Sequence, residues 1–483
     1  MTTNQIVDGL LSGKKWYKGY LTYSFKDEAQ SYEYEDNRDG ITPLSVKARE
    51  AIHEIMSYAS SLLGISITYS ANEVGDIAIA SKSMDELTLG YSYMPGSSVK
   101  NSAGDIFINS AFGDTDYKKG GMAYATVLHE LGHALGLDHP FGDGEFAGIT
   151  VNETIMSYNR YVGHDSFTAK NYSIYSYTSF QEADISALRY LYSAAYSDAD
   201  DTYMLANELF SEVISGYTTP ISQNIHTIND DGGNDTINLS GINGSSFIDL
   251  SLSEQSVVVH GSVRHYLNFT SSSIIENIVG SNHNDTFILN SAHNTIDAKG
   301  GINKVYINTP QTPRVDVLSD KIVVSSKESG FDTLKNISQL YINDELIDTS
   351  LYQRTQKTYT HEKAPEIARL YLSVFDRLAD EAGLDYWVDD YTSGTSLKNI
   401  AASFVLSDEF ASLYGTSQSN SEFIFLLYQN VLYRDADEAG LAYWLSDMQE
   451  GATKAELLAS FSNSGEFSSL TQPYFQDSNI FLL

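Results

Sequence analysis

The chain has 483 residues, too many for one ordinary hydrophobic core, and its formal net charge of −34 comes from 63 acidic against 29 basic side chains. That charge repels phosphate backbones and anionic membranes, so nucleic acid is excluded as an expected partner, and no stretch approaches the roughly 18 apolar residues of a membrane span. The absence of cysteine rules out disulfides, thiolate metal sites and thiol nucleophiles, which leaves histidine and oxygen as the available metal ligands. The acidic excess itself fits a solvated surface, adaptation to salt, or a store of carboxylate oxygens for calcium.

A multidomain chain is expected. Residues 1–197 read as an α+β domain. Alternating stretches at Leu21–Phe25, Ser66–Tyr69 and Asp105–Asn109 predict strands, and helical spacing predicts helices over Ser45–Leu63, Gly121–Leu135 and Gln181–Tyr192. Residues 198–351 change to short strand-like runs, at Thr236–Leu239, Ser256–Val259, Thr286–Leu289 and Lys304–Ile307, separated by Gly, Asn, Asp and Ser; an all-β domain is predicted. Residues 352–483 turn helical after a polar stretch. Here Leu370–Trp387 and Leu427–Trp444 match at 12 of 18 positions with an offset of 57 residues, which makes this part a tandem repeat of one helical unit.

The segment His129-Glu130-Leu131-Gly132-His133-Ala134-Leu135-Gly136-Leu137-Asp138-His139 carries chemistry. Histidines four apart share one helix face, so both imidazoles reach a single ion. Glu130 points about 100° round the helix, which suits a base beside the metal better than a third ligand. Gly136 ends the helix with a residue free to take φ > 0, and the turn brings His139 back to the same ion. Three neutral histidines leave a tetrahedral zinc one open position for water.

This run is similar to the long zinc signature of the metzincin proteases, and Thr154-Ile155-Met156-Ser157-Tyr158 resembles their Met-turn. Leu10 to Trp16, followed by Leu21 to Phe25, resembles the start of the serralysin catalytic domain. The resemblance implies an α+β metzincin zinc-protease domain with zinc on His129, His133 and His139, Glu130 as catalytic base, and Met156 beneath the metal. It further implies that Tyr158 is a resting zinc ligand and oxyanion donor; a plain core tyrosine is the competing reading. Gly104, Ile106 and Ile108 resemble the edge strand that aligns an extended substrate, and they equally fit a plain sheet edge.

The turns at Asp231–Ile237 and Ile275–Phe287 resemble the glycine-rich calcium-binding repeats of secreted toxins and serralysins, which implies a β-roll-like all-β domain. Asp231, Asp235, Asn284 and Asp285 are the calcium candidates, and Asx turns closing strands are the alternative. Ser281, Asn282 and His283 stand where further glycine and aspartate are expected, so fewer calcium sites than usual are predicted. The C-terminal α-helical tandem repeat domain resembles modules appended to exported bacterial repeat proteins; its Asp376, Asp380, Glu381, Asp437 and Glu438 fit either calcium or helix caps. Asn479–Leu483 resembles the apolar tail read by a one-step (type I) secretion machinery, with Asp477 as the nearby acid. The resemblance thus implies a secreted zinc-dependent endopeptidase whose cofactors are zinc and calcium and whose partners are a protein or peptide substrate, that machinery and a proteinaceous inhibitor. The alternative is a calcium-dependent cell-surface or matrix binding protein with an accessory protease domain.

Overall fold

The computed structural model describes all residues except 1–2, 29–38, 72–74, 100, 141–148, 159–175, 195–197, 210–222, 328, 416 and 477, so Asp477 lies outside the described residues. The chain divides into one unit of Met1–Ile275 with Val279–Asp285 and another of Glu276–Ile278 with Thr286–Leu483.

In the first unit, alternation along β1 (Tyr20–Phe25) buries Leu21, Tyr23 and Phe25. Further strands of the same sheet follow in chain order: β2 (Ile41–Thr42), β3 (Ser66–Tyr69), β4 (Ile77–Lys82) and β5 (Gly90–Ser92). With β6 (Ile106–Asn109) they form a mixed sheet of order β3-β1-β4-β6-β5, in which β2 also pairs with β4. β5 is antiparallel to β6 and ends the sheet. The longer helices described in this part are α1 (Thr3–Leu10), α2 (Val46–Leu63), α3 (Met122–Leu135) and α4 (Glu182–Tyr192). Ser45 caps α2 by accepting the Ala48 N–H at 3.1 Å, and Gly64 closes it at φ 61. Leu21, Ile52, Ile55, Ile79, Leu128 and Leu188 belong to one apolar core shared by sheet and helices, so α3 is anchored along its length. Beyond α4 come short strands. Ser246–Asp249, Ser256–His260 and Val263–Phe269 form an antiparallel meander, and the last of these runs parallel to Gln223–Ile228.

The second unit starts with strands, continues with helices and closes on a short C-terminal strand. Thr286–Ile288, Lys304–Ile307 and Gln339–Ile342 stack in parallel register, which places the Tyr306 and Tyr341 rings face to face at 4.5 Å. The helices then repeat: those starting at Glu381, Leu397 and Asp408 recur at Glu438, Lys454 and Gly465, each shifted by the 57 residues of the sequence repeat. Asp380 caps the first by accepting the Gly383 N–H at 2.8 Å, and Asp437 does the same for Gly440 at 2.8 Å. These two aspartates are helix caps. Asp376 instead meets Arg314 and accepts from the Tyr433 hydroxyl at 3.1 Å.

One expectation changes here. The polar stretch after residue 351 contains a strand, Thr355–Thr358, and its partner is the C-terminal Asn479–Leu482. Ile480, Phe481 and Leu482 are buried in the helical core, so in the folded chain the apolar tail is a structural element.

Candidate metal centre

α3 is short of polar surface: Val127, Leu128, Leu131 and Ala134 are fully buried, and His129 and His133 share one stripe. Gly136 takes φ 110 just past the helix end, the left-handed conformation its position requires, and the chain turns back to deliver His139. The three rings meet. His133 Nε2 lies 3.1 Å from His139 Nε2, which lies 3.3 Å from His129 Nε2. On the far side of each helix ring, His129 Nδ1 donates to the Ile155 carbonyl and His133 Nδ1 to the Leu137 carbonyl, both at 2.8 Å. Nδ1 therefore carries the proton and Nε2 presents a lone pair in both.

Converging lone pairs repel unless a cation lies among them. In a tetrahedral zinc site with Zn–N of 2.0–2.1 Å, neighbouring nitrogens stand about 3.3–3.4 Å apart, close to the spacing found here. Burial, reinforced by the neighbouring imidazoles, lowers His129 well below the ordinary range and His133 to about 4, so both are neutral and ready to ligate. Among the described residues these three are the one set of three or more histidine or carboxylate side chains whose ligand atoms gather in this way. The set fits zinc.

Glu130 sits beside it, buried, with its Oε2 accepting from Ser92 Oγ at 2.8 Å. Burial pushes its carboxyl up to about 7, and the Ser92 hydrogen bond opposes the rise. Ser92 closes β5, and Gly90 lets that strand lie across α3: a Cβ there would come within 2.8 Å of Thr126 Cγ2 and 3.2 Å of Glu130 Cγ. Met156 is fully buried, its Sδ packed where a Cβ on Gly132 would come within 2.7 Å. Asp184 holds the Met156 turn from α4, accepting from Thr154 Oγ1 at 2.5 Å and from the Ile155 N–H at 2.8 Å. Burial raises its carboxyl to about 6. Tyr158 is 46% exposed with its ring centroid 4.5 Å from that of His139, so it borders the centre and is not a core residue.

Ser92 and Asp184 carry no motif of their own. The available signal for Ser92 is glycine two residues before it in an alternating stretch; for Asp184 it is the first-turn acid of α4.

One expectation is corrected. Ile106 and Ile108 are fully buried on β6, which pairs with β4 on one side and β5 on the other, and Gly104 at φ 79 turns the chain into it. Among the described residues the edge on this side of the sheet is β5, because the antiparallel return of Gly90–Ser92 covers the strand that sequence pattern alone leaves exposed. Of the calcium candidates, Asp231 forms a two-pronged ion pair with Arg189. Asp235 is buried, its Oδ1 accepting the Asp201 N–H at 2.7 Å, and burial with the adjacent Asp230 raises it to about 6. Asp285 accepts from the Ser246 and Ser281 N–H groups at 2.8 Å each, while Asn284 is exposed.

Residues 401–471 match a family described as a domain of unknown function, DUF4214. Serralysin of Proteus mirabilis is 33% identical over 203 residues, covering 38% of this chain and 39% of the relative. Metallopeptidase AprA of Pseudomonas marginalis is 26% identical over 302 residues, 57% of this chain and 61% of the relative. Metalloprotease AprA of Pseudomonas entomophila (strain L48) is 29% identical over 221 residues, 42% and 44%. In each the match spans less than two thirds of the relative's own length. Together with the histidine centre, these similarities make the chain serralysin-like, with a DUF4214 domain towards its C-terminal end.

Proposed function

We propose that the protein is a secreted zinc-dependent endopeptidase, built as a metzincin-type protease domain over residues 1–197, a β-roll-like domain over 198–351 and the helical repeats over 352–483. The observation that carries this reading is the convergence of three Nε2 atoms beside a buried glutamate. His129, His133 and His139 would hold the zinc. When bound, zinc supplies Lewis acidity towards a scissile carbonyl and lowers the pKa of water to about 7.

The chain's own groups do the rest. Glu130 takes the proton of the attacking water and returns it to the leaving amine, and Ser92 fixes which carboxylate oxygen faces the centre. The Tyr158 phenol donates to the oxyanion. Among the described residues β5 is paired on one side only, so its open edge, on the strand whose Ser92 bonds Glu130, offers backbone groups to an extended peptide. Secretion and the type I route rest on the likeness to serralysins. Arg189 already neutralises Asp231, which narrows the calcium part of the proposal to the Asp235 turn. Casein cleavage that stops with a zinc chelator and returns with added zinc tests the reading; cleavage indifferent to zinc contradicts it.

A further inference from the structure

The end of α3 leaves carbonyls that no further helical turn can satisfy. Those of Gly132 and His133 accept the Leu137 and Gly136 N–H groups, both at 2.9 Å. The next three are met from distant parts of the chain. Trp16 Nε1 donates to Ala134 O at 2.9 Å, Tyr192 Oη to Leu135 O at 2.7 Å, and Ser12 Oγ to Gly136 O at 2.6 Å. Leu11 and Leu137 form an antiparallel bridge, and the Asp138 N–H donates to Leu10 O at 2.8 Å. The fit is close: a Cβ on Gly136 would lie 2.3 Å from the Lys14 carbonyl oxygen.

The short strap Gly136–Asp138 has two links to the metal centre. Its Leu137 carbonyl holds His133 Nδ1 at 2.8 Å, and the residue that follows the strap is His139. Whatever fixes the strap therefore fixes two of the three ligands, one by orienting its ring and one by placing its backbone. The third ligand, His129, is held by Ile155 and does not depend on the strap.

We propose that Leu10–Trp16 is a positioning element of the metal centre, in which Ser12 and Trp16 hold the strap so that His133 and His139 keep their Nε2 atoms at the shared point. The proposal rests on the zinc reading given above. Neither residue touches the ion or the substrate; both act through Gly136, Leu137 and the end of α3.

The test uses the zinc-loaded full chain, with transfer of zinc to a chromogenic chelator followed well below the melting temperature. Ser12→Ala, and separately Trp16→Phe, should release zinc about 10-fold faster, the scale on which partners of metal ligands act. The zinc-free melting temperature of Ser12→Ala should stay at the parent value, since Ser12 is only half-buried and the Leu11–Leu137 bridge and the Asp138–Leu10 hydrogen bond still tie the strap, and Ser12→Thr should restore slow release. Release from both variants at the parent rate overturns the proposal, as does faster release matched by an equal loss of zinc-free stability. A parent chain that takes up no zinc would instead remove the zinc reading beneath it.

Discussion

The histidine centre and the aspartate turns are both acid-rich or imidazole-rich clusters that sequence alone marks for metals, yet the chain treats them differently. At the first, each helix histidine donates its Nδ1 hydrogen to a backbone carbonyl and turns a lone pair inward, towards a point that suits a cation. At the second, protein donors already meet most of the carboxylates: Arg189 meets Asp231, the Asp201 N–H meets Asp235, and two N–H groups meet Asp285. A metal site is built where imidazole nitrogens converge on one point, and the number of acids nearby is a poor guide to it.

The largest expected effect sharpens the first side. Glu130→Ala should leave zinc bound while casein turnover falls about 10²–10⁴-fold, the usual worth of a positioned acid–base group. Turnover near the parent rate would show that the proton moves elsewhere. Tyr158→Phe keeps the ring beside His139 and removes one donor, so turnover should fall about 10²-fold with zinc content unchanged. A fully active variant would return Tyr158 to a packing role.

The next test probes the second side. Burial and the adjacent Asp230 push the Asp235 carboxyl up to about 6 in the folded chain, above its ordinary 3.8, so the folded form holds its proton longer than the unfolded form. Its contribution is present below pH 3.8 and is lost as pH rises to about 6. Asp235→Asn should therefore gain melting temperature relative to the parent across that window. Calcium added above it should stabilise the parent and leave the variant unmoved. A pH-independent difference, or equal calcium responses, would mean that this turn is held by hydrogen bonds alone. The smallest effect is expected at Asp231, where a calcium chelator should change nothing because Arg189 is the partner. Loss of the Arg189 contact on calcium addition, read from Arg189→Gln stability with and without the ion, would reverse that view.

Legibility followed the range of the interactions. The helices over Val46–Leu63 and Glu182–Tyr192 are readable because Pro43 and the apolar spacing of Ala183, Ile185, Leu188 and Leu191 are local signals, and His129, His133 and Gly136 are readable because a helix fixes their spacing. The 57-residue repeat was equally plain, since Gly383 and Gly440 are each required by a tyrosine hydroxyl where a Cβ would come within 2.5 and 2.1 Å. One position of that repeat diverged for a reason visible only in space: Asp376 and Tyr433, both at positive φ, bond to each other beside Arg314. The substrate edge was assigned to Ile106 and Ile108 because nothing in their pattern reveals the short β5 that covers them. Asp184 and Ser92 were missed for the same cause, their partners being 30 and 38 residues away. The C-terminal strand pairs with residues more than a hundred positions earlier, beyond any periodicity argument.

Zinc content of the purified chain, measured alongside His139→Ala, tests the central claim most directly. The account predicts one equivalent of zinc in the parent, held by three converging Nε2 atoms, and a large loss in the variant because a ligand has gone. A parent without zinc, or a variant with the parent's full equivalent, would contradict it.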